Sequence, residues 1–217
     1  AFFTEVLRSV KPVGVHFEHF YGVSVDVIEI CREMGIWTSH TVHDYYDLCP
    51  SHNLLDEKGN YCQGVCTVGS GWCDISLDLP GEIPKIKNSY VRNWRQIYAK
   101  TLIQLDAIIA PSEQAKGTLQ NFYDLPPQKL RVIEHVSAAA AFMEKTNAHK
   151  RPKVAFIGNL MPSKGSRKLL RMAKAGKGHS IDFVHFGDAP LLPRTGIDFQ
   201  GKYQTEDLAE IIIAAKP

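Results

Sequence analysis

His40, His43, Asp44, Asp47 and Cys49 lie within the eleven residues HTVHDYYDLCP. Imidazole and carboxylate groups are ordinary metal ligands, and the same groups donate and accept protons at ligand sites. If the residues before His43 form a strand, period-two alternation throws the rings of His40 and His43 to opposite faces. The spacing therefore disfavours a metal shared by this pair and favours hydrogen-bonding roles at a strand end. HFEH, residues 16–19, adds His16, Glu18 and His19 at the end of an earlier strand candidate. Both stretches should face one crevice, because open α/β sheets bind ligands beyond the carboxyl ends of their strands.

Four cysteines, Cys49, Cys62, Cys66 and Cys73, crowd into the loop that follows. Tetrahedral zinc needs four thiolates, and the spacing of Cys62 and Cys66 suits one half of such a site. Cys49 and Cys73 are too far apart in sequence to form an equally good second half. Structural zinc, free thiols and a disulfide all stay open, the disulfide being disfavoured in a cytoplasmic setting. Cys31 falls on the apolar face of a helix and reads as packing.

In the second half, GNLMPSKGS, residues 158–166, sits between a strand and a helix, where backbone N–H groups and the helix dipole favour an anion. Lys164 would reach the same phosphate. The run is not a Walker A loop, since Ser163 and Gly165 stand where that motif needs Gly and Ser or Thr. From 150 to 180 there are nine Lys or Arg (150, 151, 153, 164, 167, 168, 171, 174, 177) and no Asp or Glu. A solvated helix face explains some of these cations but not the absence of compensating acid. HFGDAP repeats the arrangement one strand later, with Gly187 where backbone could approach a ligand and Asp188 as a polar group at the strand end.

The elements that must position these groups follow from periodicity. Strands are expected at VGVHF, IWTSHTV, DAIIAP, KLRVIEH, VAFIG, IDFVHFG and IDFQG. Helices are expected over 24–34 with Gly35 at its end, over 88–105, from Ser112 as cap, over 166–175, and from Thr205 with Glu206 and Asp207 in its first turn. The 85–100 stretch carries Lys85, Lys87, Arg92, Arg95 and Lys100 beside aromatic residues. Such a helix could lie on an anionic membrane, although its apolar seam also suits packing on a sheet.

Alternating strands and helices predict an α/β chain of two Rossmann-like domains, both incomplete, divided where composition turns polar: 1–145 and 151–217. The 217 residues, 44% hydrophobic and 22% charged, are enough to bury a real core. A net charge of +2 is too mild to indicate nucleic acid, and no apolar run approaches the roughly 18 residues of a membrane helix. A cytoplasmic protein is the expectation. The chain opens on Ala and breaks off before another expected strand, which suggests a fragment of a longer enzyme.

VHFEHFYGVS, TVHDYYDLCPSHNLLDEKGNYCQGVC, DAIIAPSEQAK, KLRVIEHVS, VAFIGNLMPSKG, FVHFGDAP and IDFQGKYQTEDLAEII together resemble the retaining glycosyltransferases of the family 4 type, with the GT-B fold of two Rossmann-like domains. The resemblance implies transfer of a sugar from a UDP- or GDP-linked donor to a sugar or lipid-linked hydroxyl acceptor, with retention of configuration and no catalytic metal. It implies that Lys164 binds the donor diphosphate, that Gly158, Asn159, Gly165, Gly187 and Asp188 line the nucleotide site, and that His43 lies near the transferred sugar beside Asp44. His16, Glu18 and His19 are then acceptor contacts. Asn159 departs from the arginine many relatives carry there, and the family's paired glutamates fall outside these residues. The competing expectation is a non-catalytic nucleotide-binding module whose zinc-held loop, Cys49, Cys62, Cys66 and Cys73, is an interaction surface. Peripheral contact with the inner face of an anionic membrane fits the first expectation, and the oligomeric state has no sequence signal.

Overall fold

A computed structural model describes residues 2–56, 60–66, 72–74, 85–135, 152–161, 164–176, 181–189 and 196–215. The chain divides into two compact units, Ala1–His135 and Val136–Pro217. The polar stretch in which the sequence suggests a division lies outside the described residues.

In the first unit the elements run α1 (Phe2–Val10), β1 (Gly14–Phe17), α2 (Asp26–Glu33) and β2 (Trp37–Thr41), then the cysteine loop. Within that loop β3 (Trp72–Asp74) pairs antiparallel with β4 (Lys85–Lys87). α3 (Asn88–Leu102), β5 (Ala107–Ala110), α4 (Glu113–Gln120) and β6 (Leu130–Val132) follow. The main sheet has the order β1-β2-β5-β6, and every pairing in it is parallel. The expected alternation is thus an α/β layer structure of Rossmann-like kind.

Local chemistry sets the ends of these elements. Gly35, at φ +69°, takes the left-handed conformation that ends α2 cheaply. Ser112 caps α4, its side chain accepting the Ala115 N–H at 3.1 Å. α3 stops at Leu102 rather than Leu105, and Lys129 Nζ donates to the Ile103 and Leu105 carbonyls that the ending helix leaves free. Val91, Tyr98, Leu102 and Leu105 of the expected apolar face are buried with Ile108 and Leu119. Each such side chain contributes about 1.5–3 kcal/mol of transfer free energy.

β2 departs from the expected alternation. Trp37 is exposed, but Thr38, Ser39, His40 and Thr41 are all buried. A central parallel strand is covered on both faces, so its polar side chains need partners inside the protein. Thr38 donates to Asp106 through its amide at 2.7 Å and its hydroxyl at 3.2 Å. Ser39 and Thr41 flank the His16 ring, at 2.7 and 3.0 Å from its two nitrogens.

The second unit contains β7 (Lys153–Ile157), α5 (Ser166–Ala175), β8 (Asp182–Phe186), β9 (Ile197–Gly201) and α6 (Leu208–Ala215). Its sheet is parallel with the order β7-β8-β9. Leu160, Leu169, Ala173, Phe183 and Ile197 form its core. Thr205 is not the cap expected before α6. The chain enters through a 3₁₀ turn, Thr205–Asp207, capped by Gln204, whose amide donates to Asp207 Oδ2 at 3.1 Å. Among the described residues no helix is long and apolar enough to cross a membrane.

Candidate functional site

β1 and β2 are adjacent and in register, Phe17 opposite His40, so the residues just past their carboxyl ends emerge side by side. Glu18 stands between two imidazoles. Its Oε2 accepts from His43 Nε2 at 2.5 Å, and its Oε1 lies 3.6 Å from His16 Nε2. The His43 hydrogen bond is the main reason the Glu18 carboxyl titrates below its ordinary range. His135, three residues past β6, stacks on His43 with ring centroids 5.7 Å apart and 5° between planes. Glu18 and His43 both stay accessible, with 71% and 39% of their side chains exposed, as a ligand contact requires.

Asp44 turns away from His43 and gathers three other donors. His19 Nε2 approaches Oδ2 to 3.1 Å, His52 Nδ1 approaches it to 3.2 Å, and the Tyr46 amide donates to Oδ1 at 2.8 Å. Burial pushes the carboxyl up, but the His52, Tyr46 and His19 interactions outweigh it, and Asp44 titrates below its ordinary range. Tyr21, Tyr46 and Trp94 pack around this hub, Tyr46 standing edge-on to Trp94 at 5.0 Å. His52 holds its place at φ +62°, a left-handed conformation that costs a non-glycine residue roughly 1–3 kcal/mol.

Ligand-type atoms of His19, Asp44 and His52 lie within 4.8 Å of one another, the one such trio among the described residues. The proton positions favour hydrogen bonding over ligation. The Tyr21 amide donates to His19 Nδ1 at 2.8 Å, so neutral His19 carries its proton on Nε2, facing Asp44. The two histidines and two aspartates of the opening motif do not converge on one point. His40 Nε2 meets Asp47 Oδ2 at 2.9 Å in the interior, with Nδ1 donating to the Phe17 carbonyl at 2.8 Å, while His43 goes to Glu18.

Cys49, Cys62 and Cys66 are free thiols. Cys49 Sγ lies 3.2 Å from Ser51 Oγ, and Arg95 Nη2 approaches Cys66 Sγ to 3.8 Å. Burial raises the Cys62 and Cys66 thiols, which opposes the thiolate form that zinc requires. The Cys73 side chain lies outside the described residues, so the fourth member of the expected zinc set does too. Of the basic residues expected along α3, Arg92 and Lys100 are exposed but Arg95 is not. It turns inward, donating to the Leu48 and Gly64 carbonyls at 2.9 and 2.8 Å and lying 4.5 Å over the Phe122 ring.

In the second unit, two glycine turns cross at the carboxyl ends of β7 and β8. Gly158 and Gly187 have φ of +124° and +137°, values open to glycine. A Cβ on Gly187 would sit 2.3 Å from the Gly158 carbonyl oxygen, so the two backbones touch. Asn159 Oδ1 accepts the Asp188 amide at 3.3 Å, and the exposed Asp188 carboxylate pairs with Lys202 at 3.0 Å. Of the two polar side chains of the expected nucleotide site, Asn159 thus serves the turn itself and Asp188 pairs with a lysine just past β9. Gly165, at φ +85°, opens α5 without a side-chain cap. Lys164, Arg167, Lys168, Arg171 and Lys174 are all exposed there.

Sequence reasoning placed His16, Glu18 and His43 together at the strand ends and missed His52, His135 and His185. His135 had a legible signal, its place just past a strand. His52 had none because its pairing with Asp44 depends on how the loop folds back, and His185 had none because Gly158 is distant in sequence.

The description of Glycosyltransferase Family 4 matches residues 2–136. Among solved structures, the crystal structure of TarM is similar over 79% of this chain at 13% sequence identity, with a TM-score of 0.41. The chain spans 29% of the length of that TarM chain. A search of curated proteins gave no match. The family match takes in well over half of the 217 residues, with the strand-end cluster inside it, and the chain therefore belongs to Glycosyltransferase Family 4.

Proposed function

We propose that the protein transfers a sugar from a UDP- or GDP-linked donor to a hydroxyl of a sugar or lipid-linked acceptor, with retention of configuration. The observation that carries this reading is the start of α5. There an uncapped helix N-terminus, opened by left-handed Gly165, coincides with Lys164 in a stretch without a single acid. The Lys164 and Ser166 amides bond to the Met161 carbonyl, so the attraction for a diphosphate comes from the helix dipole and the Lys164 ammonium.

The chemical task is to stabilise negative charge as the bond between sugar and diphosphate breaks. Lys164 holds that charge as it grows, without a catalytic metal. Gly158 and Gly187 keep the neighbouring backbone close enough to line the nucleotide cleft. In the first unit His43, oriented by Glu18 and stacked on His135, contacts the transferred sugar. Asp44 fixes His19 and His52 rather than reacting, while His16, Glu18 and His19 meet the acceptor. Replacement of Lys164 by Ala tests the reading, since sugar transfer should collapse, whereas unchanged turnover would remove the donor site.

The exposed side of α3 supports peripheral membrane contact. Tyr90 and Ile97 are about half exposed beside the exposed Arg92 and Lys100, and so is Ile103 just past the helix end. Aromatic, aliphatic and cationic groups together suit an anionic lipid surface. Co-sedimentation should require anionic lipid, and equal recovery with neutral vesicles would count against it.

A further inference from the structure

β8 is the middle strand of the second sheet, and His185 is an anomaly within it. Its neighbours Phe183 and Val184 are buried apolar residues, whereas His185 is a polar ring with 0% exposure. It packs between Phe156 and Phe199, with ring centroids 5.5 and 5.4 Å away. Its Nδ1 is buried and has no hydrogen-bond partner among the described residues. Leucine would fill such a slot without orphaning an acceptor, so the imidazole stands at a cost in stability.

The compensating interaction is one hydrogen bond. His185 Nε2 lies 2.8 Å from the Gly158 carbonyl oxygen. A carbonyl only accepts, so the proton is on Nε2 and the bare nitrogen is the orphaned Nδ1. Gly158 N–H already bonds to Phe186 O at 2.8 Å, and Leu160 N–H bonds to Asp188 O at 2.9 Å. The His185 bond adds a fixed direction for the carbonyl that lies between those two amides. Gly158 most needs such a restraint, because glycine at φ +124° has no side chain to limit its rotation. A trans peptide is planar, so fixing the Gly158 carbonyl also fixes the Asn159 N–H on the opposite side of that plane.

We propose that His185 is the positioning residue of the diphosphate turn. From inside the sheet it locks the 158–159 peptide, so that the backbone entering the turn before α5 presents its N–H group in one orientation. This rests on the donor-site reading given above. His185 itself touches no substrate.

The test uses the full-length protein with UDP and GDP as probes in calorimetry, thermal melts of each variant, and initial-rate kinetics. His185→Leu is expected to weaken nucleoside diphosphate binding at least tenfold while its melting temperature stays close to wild type, because it removes the orphaned nitrogen but leaves the Gly158 carbonyl without its partner. The KM for donor should rise, while the KM for acceptor stays unchanged. His185→Gln, which keeps an N–H donor, should recover affinity to within about threefold of wild type, roughly half of the ~1.4 kcal/mol in a tenfold step. Binding by His185→Leu equal to wild type overturns the proposal, as does an affinity loss that tracks a fall in melting temperature in both variants. Wild-type protein that binds neither nucleotide rejects the donor-site reading itself.

Discussion

Glu18 and His43, carried past the ends of two neighbouring parallel strands, meet at 2.5 Å through Oε2 and Nε2. Neither residue is near the other in sequence, and strand register alone brings them together. Both are exposed, so the pair adds little to stability, as exposed ion pairs generally do. Its value lies in aiming the imidazole. Replacing His43 by Ala should lower kcat/KM for sugar transfer by about 10- to 100-fold, which is roughly 1.4–2.7 kcal/mol of lost transition-state stabilisation. Glu18→Gln, which keeps an acceptor oxygen, should lose less. Comparable melting temperatures for all three proteins are expected, and transfer kinetics unaffected by either change would remove His43 from the site.

Asp44 makes a pH-dependent contribution whose sign follows from its lowered carboxyl. A group with a depressed folded-state pKa stabilises fully above its unfolded value, near ~4 for Asp, and loses that stabilisation as pH falls through the folded value. Asp44→Asn should therefore be less stable than wild type at neutral pH by roughly 1.5–3 kcal/mol, the range for hydrogen bonds to a charged group. The gap should narrow on acidification toward pH 3. Urea denaturation of both proteins across that window measures it, and a gap independent of pH would show that the charge of Asp44 contributes nothing.

Gly187 is a point where backbone meets backbone. A methyl group there would lie 2.3 Å from the Gly158 oxygen and 2.6 Å from its carbon, at φ +137°. Steric overpacking and backbone strain together should make Gly187→Ala destabilising by roughly 2–4 kcal/mol. Gly117→Ala is the control, because nothing lies within 4 Å of its added carbon on α4 and alanine favours a helix. Equal denaturation midpoints for the two variants would mean that the glycine turns do not pack as described.

The fold was largely legible because its signals are local. Apolar runs marked the strands, and the helix over 166–175 was bounded by glycines in the sequence itself. Ser112 announced α4 by the oxygen it offers a helix start. What sequence hid was long-range pairing. TSHT reads as a half-solvated strand until Asp106, His16, Phe17 and Asp47 are seen to satisfy its polar atoms from elsewhere. Arg95 reads as one more surface cation until the Leu48 and Gly64 carbonyls claim it. His43 and Asp44 are neighbours in sequence, yet they serve different partners because the chain leaves the strand between Thr41 and His43.

The most direct measurement of the account is calorimetric titration of UDP and GDP into wild-type protein and Lys164→Ala at low salt. One of the two nucleotides should bind wild type and bind the variant at least tenfold more weakly, with melting temperatures that agree. Equal affinity in the two proteins would contradict a diphosphate held at the start of α5.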